Sequence, residues 1–256
     1  DNPPFNALRQ ALRQVIFDAI EAAEADGKVR AIVLIGAGRT FPAGADIREL
    51  GQPMRDPHLP DVINRIEDCA KPVVAAMHGT ALGGGLEVGL GAHYRIADEG
   101  ARFGLPEVHL GVLPGAGGTQ RLPRITGPGP ALEIMTTGKP IDARRALALG
   151  IVGRVRAGNL RKDALAFAAE VTEPRRTRDR TEGLSDPQAN AAAIAEMRER
   201  LGSTARGLVS PFMMVDCVEA ALTLPFAEGL AKERAAFFEC LDTPQREGLV
   251  HAFFAE

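Results

Sequence analysis

The chain has 256 residues, 45% of them hydrophobic, enough to bury one sizeable core or two unequal ones. Its 30 Lys and Arg against 33 Asp and Glu leave a net charge of −3, too weak a field to draw nucleic acid or an anionic membrane. No run of 18 apolar residues, no basic-then-apolar leader pattern and only three widely spaced cysteines argue against a membrane span, a signal peptide, a disulfide frame or a zinc site, so a cytoplasmic protein without membrane insertion or bound metal is expected.

In chain order, "NALRQALRQVIFDAIEAAEAD" predicts a helix with Leu8, Leu12, Val15, Ile16, Ala19 and Ile20 on one face, closed by Gly27. "RAIVLIGAG" reads as a buried strand over 31–36 and "KPVVAAMHG" as a second over 73–79, with a helix in "DVINRIEDCA" between them. A glycine stretch, "HGTALGGGLEVGLG", opens a third helix, and "HYRIAD" and "ARFG" follow as short strands. Strands alternating with helices predict an α/β fold with a parallel, helix-covered sheet. Beyond residue 127 helical patterns dominate: "PGPALEIMTTG", "DARRALALG", "RKDALAFAAEV", "QANAAAIAEMRERLG", "SPFMMVDCVEAALTL" and "FAEGLAKERAAFFECL". A boundary is expected near 180–190, dividing a core over 1–185 from a helical region over 186–256. Arg175, Arg176, Arg178 and Arg180 stand just before it and read as a solvated connection rather than a phosphate or nucleic-acid patch.

Glycine makes up 28 of the 256 residues, above the usual ~7%, and the excess gathers between 79 and 129. Both predicted strands run into glycine-bearing loops, "AGAD" and "GGG", each leading toward a helix. In a parallel sheet such loops emerge at the edge where ligands bind. The first N–H groups of a helix have no internal acceptors and carry partial positive charge. Two converging amides of this kind would hold a carbonyl oxygen that gains negative charge, each contributing about 2.7–4 kcal/mol. Tight helix–sheet packing would use the same glycines, and the sequence leaves both readings open. GxGxxG is absent from the two loops, and GxxxxGK[ST], GxSxG and HExxH do not occur at all, which leaves carboxylates to do the chemistry. Glu87 falls in the first turn after the glycines, and Glu107 follows Pro106 ahead of another glycine cluster.

The blocks "FPAGADIREL", "KPVVAAMHGTALGGGLEVGLGAHYRIAD", "ARFGLPEVHLGVLPGAGGTQRLPRITG" and "GKPIDARRALALGIVGRV" together resemble the crotonase, or enoyl-CoA hydratase/isomerase, superfamily. "NPPFNAL", "HGTALGGGLE" and the ending "AFFAE" are most similar to the hydratase portion of multifunctional β-oxidation proteins. The resemblance implies a ClpP-like spiral of β-β-α units followed by a C-terminal helical region. It implies an oxyanion hole from the amides of Ala45 and Gly84, catalytic acids Glu87 and Glu107, and substrate contacts from Ala43, Asp46, Ile47, Arg48, Gly83, Pro106 and Gly115. The substrate is then an acyl-CoA thioester, with no separate cofactor. Hydration of 2-trans-enoyl-CoA is the expected reaction. Δ3-Δ2-enoyl-CoA isomerisation is the alternative, and a non-catalytic acyl-CoA- or RNA-binding homologue a remote one. Stand-alone members form trimers or hexamers. The multifunctional proteins carry a 3-hydroxyacyl-CoA dehydrogenase region after an "AFFAE"-like ending, and family members have a strand ahead of "NPP", so a longer parent chain is expected to hold both. Acyl-pocket walls are expected from 51–68 and the C-terminal helices.

Overall fold

A computed structural model of the chain describes residues 5–49, 52–53 and 55–255. Its elements are α1 (Gln10–Ala25), β1 (Ile32–Ile35), α2 (Leu59–Asp68), β2 (Val73–Met77), β3 (Thr80–Leu82), α3 (Gly84–Gly91), β4 (Tyr94–Asp98) and β5 (Arg102–Gly104), followed by α4 (Gly118–Thr126), α5 (Pro128–Thr137), β6 (Ile141–Asp142), α6 (Ala143–Ala148), β7 (Arg154–Arg156) and α7 (Leu160–Glu170). Four helices complete it: α8 (Pro187–Thr204), α9 (Ser210–Thr223), α10 (Phe226–Leu241) and α11 (Pro244–Ala255). The chain groups into two compact units, Asp1–Phe103 with Ile141–Asp179, and Gly104–Pro140 with Arg180–Glu256.

The first unit is built on a four-stranded parallel sheet in the order β1-β2-β4-β7, with Ile32 opposite Val73, Val74 opposite Tyr94 and Ile96 opposite Arg154. A smaller sheet has the order β3-β5-β6, its last pair antiparallel. All five residues of β2 are buried, as a strand covered on both faces requires. Alternate residues face opposite ways: Val74 and Ala76 join Ile96 and the α7 residues Leu160, Ala164, Phe167 and Ala168 in one apolar cluster. Met77 meets α3 instead, where a Cβ on Gly89 would stand 2.5 Å from its Cε, and a Cβ on Gly91 would stand 2.6 Å from Ile63 Cγ2 of α2. Glycine inside a helix costs about 1 kcal/mol relative to alanine. Here the absent side chains let a strand and a second helix close on α3, whose eight residues are all buried.

The predicted strands and the first three helices are present, but the inner face of α1 differs from expectation. Arg13, Ile16 and Ile20 are buried, whereas Val15 is 62% exposed and Ala19 is exposed as well. Arg13 takes the inward position because its guanidinium bonds Leu8 O and Pro57 O, both at 2.9 Å, and Glu49 Oε2 at 2.7 Å. That rotates the buried stripe away from Val15.

In the second unit, α4 is an element the apolar pattern did not predict, and β6 and β7 of the first unit were likewise unforeseen. Residues Gly118 to Ile125 of α4 are all buried although Thr119, Gln120, Arg121 and Arg124 are polar. Their partners come from distant helices. Glu233 of α10, 1% exposed, accepts from Gly117 N (2.6 Å), Thr119 N (3.0 Å) and Thr119 Oγ1 (2.6 Å), placing a carboxylate at the positive end of α4. Gln120 Nε2 donates to Cys217 O at 2.7 Å, and the Arg121 and Arg124 guanidiniums lie 5.1 and 5.0 Å from the Phe226 ring centre. No helix among the described residues is long and apolar enough to cross a membrane.

Candidate active site

The loop after β1 and the start of α3 meet backbone to backbone. Gly83, at φ 52° and ψ −129°, turns the chain into α3 through a region that favours glycine. A Cβ on Gly85 would overlap the carbonyl oxygen of Pro42 and come within 2.6 Å of its carbonyl carbon, so packing alone demands glycine there. Gly84 differs: a Cβ on it would lie 3.4 Å from the backbone nitrogen of Ala45. The two glycine-bearing loops singled out in the sequence therefore adjoin at Ala45 and Gly84. Among the described residues, neither amide N–H has a hydrogen-bond acceptor. Ala45 is exposed. Glu87 follows in the first turn of α3, its side chain in a residue only 3% exposed.

The rest of this loop is tightly held. Ala43 donates its N–H to Phe5 O at 3.0 Å, so a ligand contact from Ala43 falls to its carbonyl. Ile47 opens a 3₁₀ turn, Ile47–Glu49. The buried Asp46 receives Arg48 Nε at 2.9 Å and Nη2 at 2.8 Å, and Arg9 Nε at 2.5 Å. Its hydrogen bonds from Arg48, then from Arg9, hold the Asp46 carboxyl well below the usual carboxylate range. Arg48 remains 67% exposed at its side chain, open to an anionic ligand while it pairs with Asp46.

In the second unit Pro106 opens a 3₁₀ helix, Pro106–Leu110, that carries Glu107 as its second residue. Glu107 is half-buried with Oε2 sealed from solvent, and its carbonyl accepts from Val112 N at 3.2 Å. Gly115, further along the same loop, lies beneath the Phe237 ring of α10, where a Cβ would come within 2.5 Å of Cδ2. The expected residues thus fall into two sets: Ala43, Ala45, Asp46, Ile47, Arg48, Gly83, Gly84 and Glu87 in the first unit, Pro106, Glu107 and Gly115 in the second.

Asn6, Arg9 and Glu233 shape these loops and went unnoticed in the sequence. For Asn6 the signal was an Asn four residues before the start of α1; for Glu233 no local signal exists, because its partners lie 114 and 116 positions away. The arginine run is engaged internally: Arg176 Nε bonds Glu67 O at 3.2 Å, Arg178 pairs with Asp68, and Arg180 meets Glu182 at 3.3 Å. Elsewhere, Asp56, His58 and Asp61 bring ligand-type atoms within 4.8 Å of one another, beside the start of α2.

A parallel sheet whose glycine-bearing loop meets a helix start, beside a buried acid, places the chain among the α/β proteins. The sequence model of the enoyl-CoA hydratase/isomerase family matches residues 1–198, and the chain belongs to that family. It is 43% identical over its whole length to a peroxisomal bifunctional enzyme of Danio rerio, 36% of which it covers, so it spans about a third of that relative. A probable enoyl-CoA hydratase of Bacillus subtilis is 43% identical over 181 residues, 67% of this chain and 70% of that protein. Among solved structures, a carnitinyl-CoA hydratase from Mycobacterium avium superposes with a TM-score of 0.70 at 29% identity, covering 97% of this chain and 87% of that one. The crotonase architecture expected from the sequence is therefore the one the chain adopts.

Proposed function

We propose that the protein is an enoyl-CoA hydratase that adds water reversibly to 2-trans-enoyl-CoA in fatty-acid β-oxidation. The observation that carries this reading is the apposition of Ala45 N and the Gly84 backbone, two amides without an acceptor among the described residues, beside the buried Glu87. In this reading both amides grip the thioester oxygen. Withdrawing charge onto that oxygen makes C3 electrophilic and stabilises the enolate that forms when water adds. Glu87, as carboxylate, takes a proton from the attacking water as the C3–O bond forms. Glu107, protonated, delivers a proton to C2. The loop 43–48 receives the CoA end, with Arg48 facing phosphate. The same polarised carbonyl suits movement of a double bond between C3 and C2, which makes Δ3-Δ2 isomerisation the second reaction to assay. The chemistry uses two amides and two carboxyls and needs no cofactor beyond its thioester substrate.

For the chain alone we propose a homotrimer or a hexamer, and within a longer parent a fused dehydrogenase region, as its one-third coverage of a bifunctional relative supports. Three buried, unbridged cysteines support a reducing compartment such as the cytoplasm. The deciding experiment compares wild type with Glu87→Gln and Glu107→Gln on 2-trans- and 3-cis-enoyl-CoA separately. Each variant is expected to keep acyl-CoA binding and lose about 10²- to 10⁴-fold in hydration rate. Wild-type turnover in both variants refutes the assignment.

A further inference from the structure

Ala45 sits in a stretch, 42–46, that belongs to no helix or strand. An amide donor in irregular backbone is useful only when held within about 0.5 Å of its working position, so something has to hold it. The helix start supplies Gly84 but touches only one side of the loop. The other side is lined by residues 5–9. Phe5 O accepts from Ala43 N at 3.0 Å and Leu8 N donates to Gly44 O at 2.9 Å, so the peptide group that carries the Ala45 N–H and the one joining Pro42 to Ala43 are both tied down. Arg9 Nε reaches Asp46, the next residue, at 2.5 Å. Leu8, fully buried, lies with Cδ1 3.5 Å from the position a Gly84 Cβ would take, so the same segment touches both halves of the site.

The segment is fixed in turn by Asn6. Its Nδ2 donates to Ala37 O at 2.8 Å and to Thr40 O at 2.7 Å, which ties it to the loop leaving β1. The residue is 3% exposed and takes φ +51°, a left-handed conformation that asparagine tolerates and most side chains do not. That turn aims Phe5 O and Leu8 N at the loop from either side of Asn6. A merely space-filling role would need neither both donors nor the unusual backbone.

Resting on the hydratase reading above, we infer that residues 5–9 form a strap that positions the Ala45 amide, with Asn6 as its positioning residue. Asn6 acts on the reaction through Ala45 and touches no reacting atom. Loosening the strap therefore leaves acyl-CoA binding in place and weakens polarisation of the thioester.

The test uses Asn6→Gly, which accepts φ +51° without strain and removes both side-chain bonds, and Asn6→Asp, which keeps the shape but offers no donor. Asn6→Gly keeps the experiment decisive if the aspartate variant fails to fold. In the folded variants kcat for 2-trans-enoyl-CoA is expected to fall about 10- to 100-fold with KM unchanged. Difference infrared spectra of bound butanoyl-CoA, carrying ¹³C at the thioester carbonyl, give a readout that general destabilisation does not move. Wild type is expected to lower the carbonyl stretch relative to free thioester, and the variants to lose most of that shift. A folded Asn6→Gly protein with wild-type kcat and full shift overturns the strap. If wild type itself leaves the carbonyl stretch unmoved, the oxyanion reading falls and the strap with it.

Discussion

Replacing Gly84 with alanine separates the two readings of the glycine stretch. Gly84 lies outside the left-handed region and starts a helix, so alanine brings no backbone strain and gains about 1 kcal/mol of helix propensity. The added methyl would stand 2.6 Å from Leu59 Cδ2, the free end of a half-buried side chain that can turn aside, and 3.5 Å from Leu8 Cδ1. The propensity gain and the small rearrangement oppose each other, leaving stability within roughly 1 kcal/mol of wild type. The catalytic effect is far larger. At 3.4 Å from Ala45 N, the methyl occupies van der Waals contact distance from the nitrogen whose proton is proposed to meet the thioester oxygen at about 2.7–3.1 Å. Losing one such donor costs about 10²- to 10³-fold in kcat, or 2.7–4 kcal/mol. Gly85→Ala, one residue on, behaves in the opposite way. Its methyl would collide with the backbone of Pro42, which cannot turn aside, so little folded protein is expected. Thermal unfolding and steady-state hydration on both variants decide the matter. A Gly84→Ala enzyme that is folded and fully active refutes the oxyanion role of the Ala45 amide.

Two further expectations concern stability. Glu233→Gln leaves one of the α4 amides facing a second donor instead of an acceptor, at a cost of about 1–3 kcal/mol, which corresponds to a melting temperature lower by roughly 2–12 °C; an unchanged melting temperature contradicts the anchoring role. His93, 2% exposed, accepts from Val73 N through Nδ1 at 3.0 Å and donates from Nε2 to Glu67 O at 3.0 Å, so it is built to be neutral. Burial pushes its pKa below the ordinary 6.5, with Arg176 and Arg95 adding to the effect and Glu67 opposing it. The unfolded chain then takes up the proton more readily than the folded one. Stability is full above about pH 6.5 and declines as pH falls through and below it. Urea midpoints should drop between pH 7.5 and 5.5 in wild type and change less in His93→Asn; equal slopes in the two proteins argue against His93 as the cause.

What the sequence revealed followed from short-range rules. Runs such as "IVLI" and "VVAAM" announce buried strands because β-branched and small apolar residues suit a surface covered on both sides, and the triple glycine announced a place where backbone meets backbone. It did not say which glycine served which purpose. Gly85, Gly89 and Gly91 answer to Pro42, Met77 and Ile63, while Gly84 adjoins Ala45, a distinction of a few ångströms that only packing determines. The inner face of α1 misled for a related reason: apolar spacing favoured Val15, but Arg13 goes inward because the nearby Leu8 carbonyl and the distant Pro57 carbonyl receive it. "GTQRLPRIT" was invisible as a helix because its buried polar side chains find their partners on α9 and α10, and it holds Pro123 in its interior.

The three thiols have a practical use. Cys69, Cys217 and Cys240 are fully buried; burial raises the first and pushes the second and third up to about 12 and about 11. Protonated sulfur shut away from solvent reacts slowly with alkylating reagents, and becomes an ordinary cysteine once its surroundings open. Cys69 belongs to the first unit and the other two to the second, so a pulse of iodoacetamide followed by peptide mass analysis times the opening of each unit separately, without any engineered label.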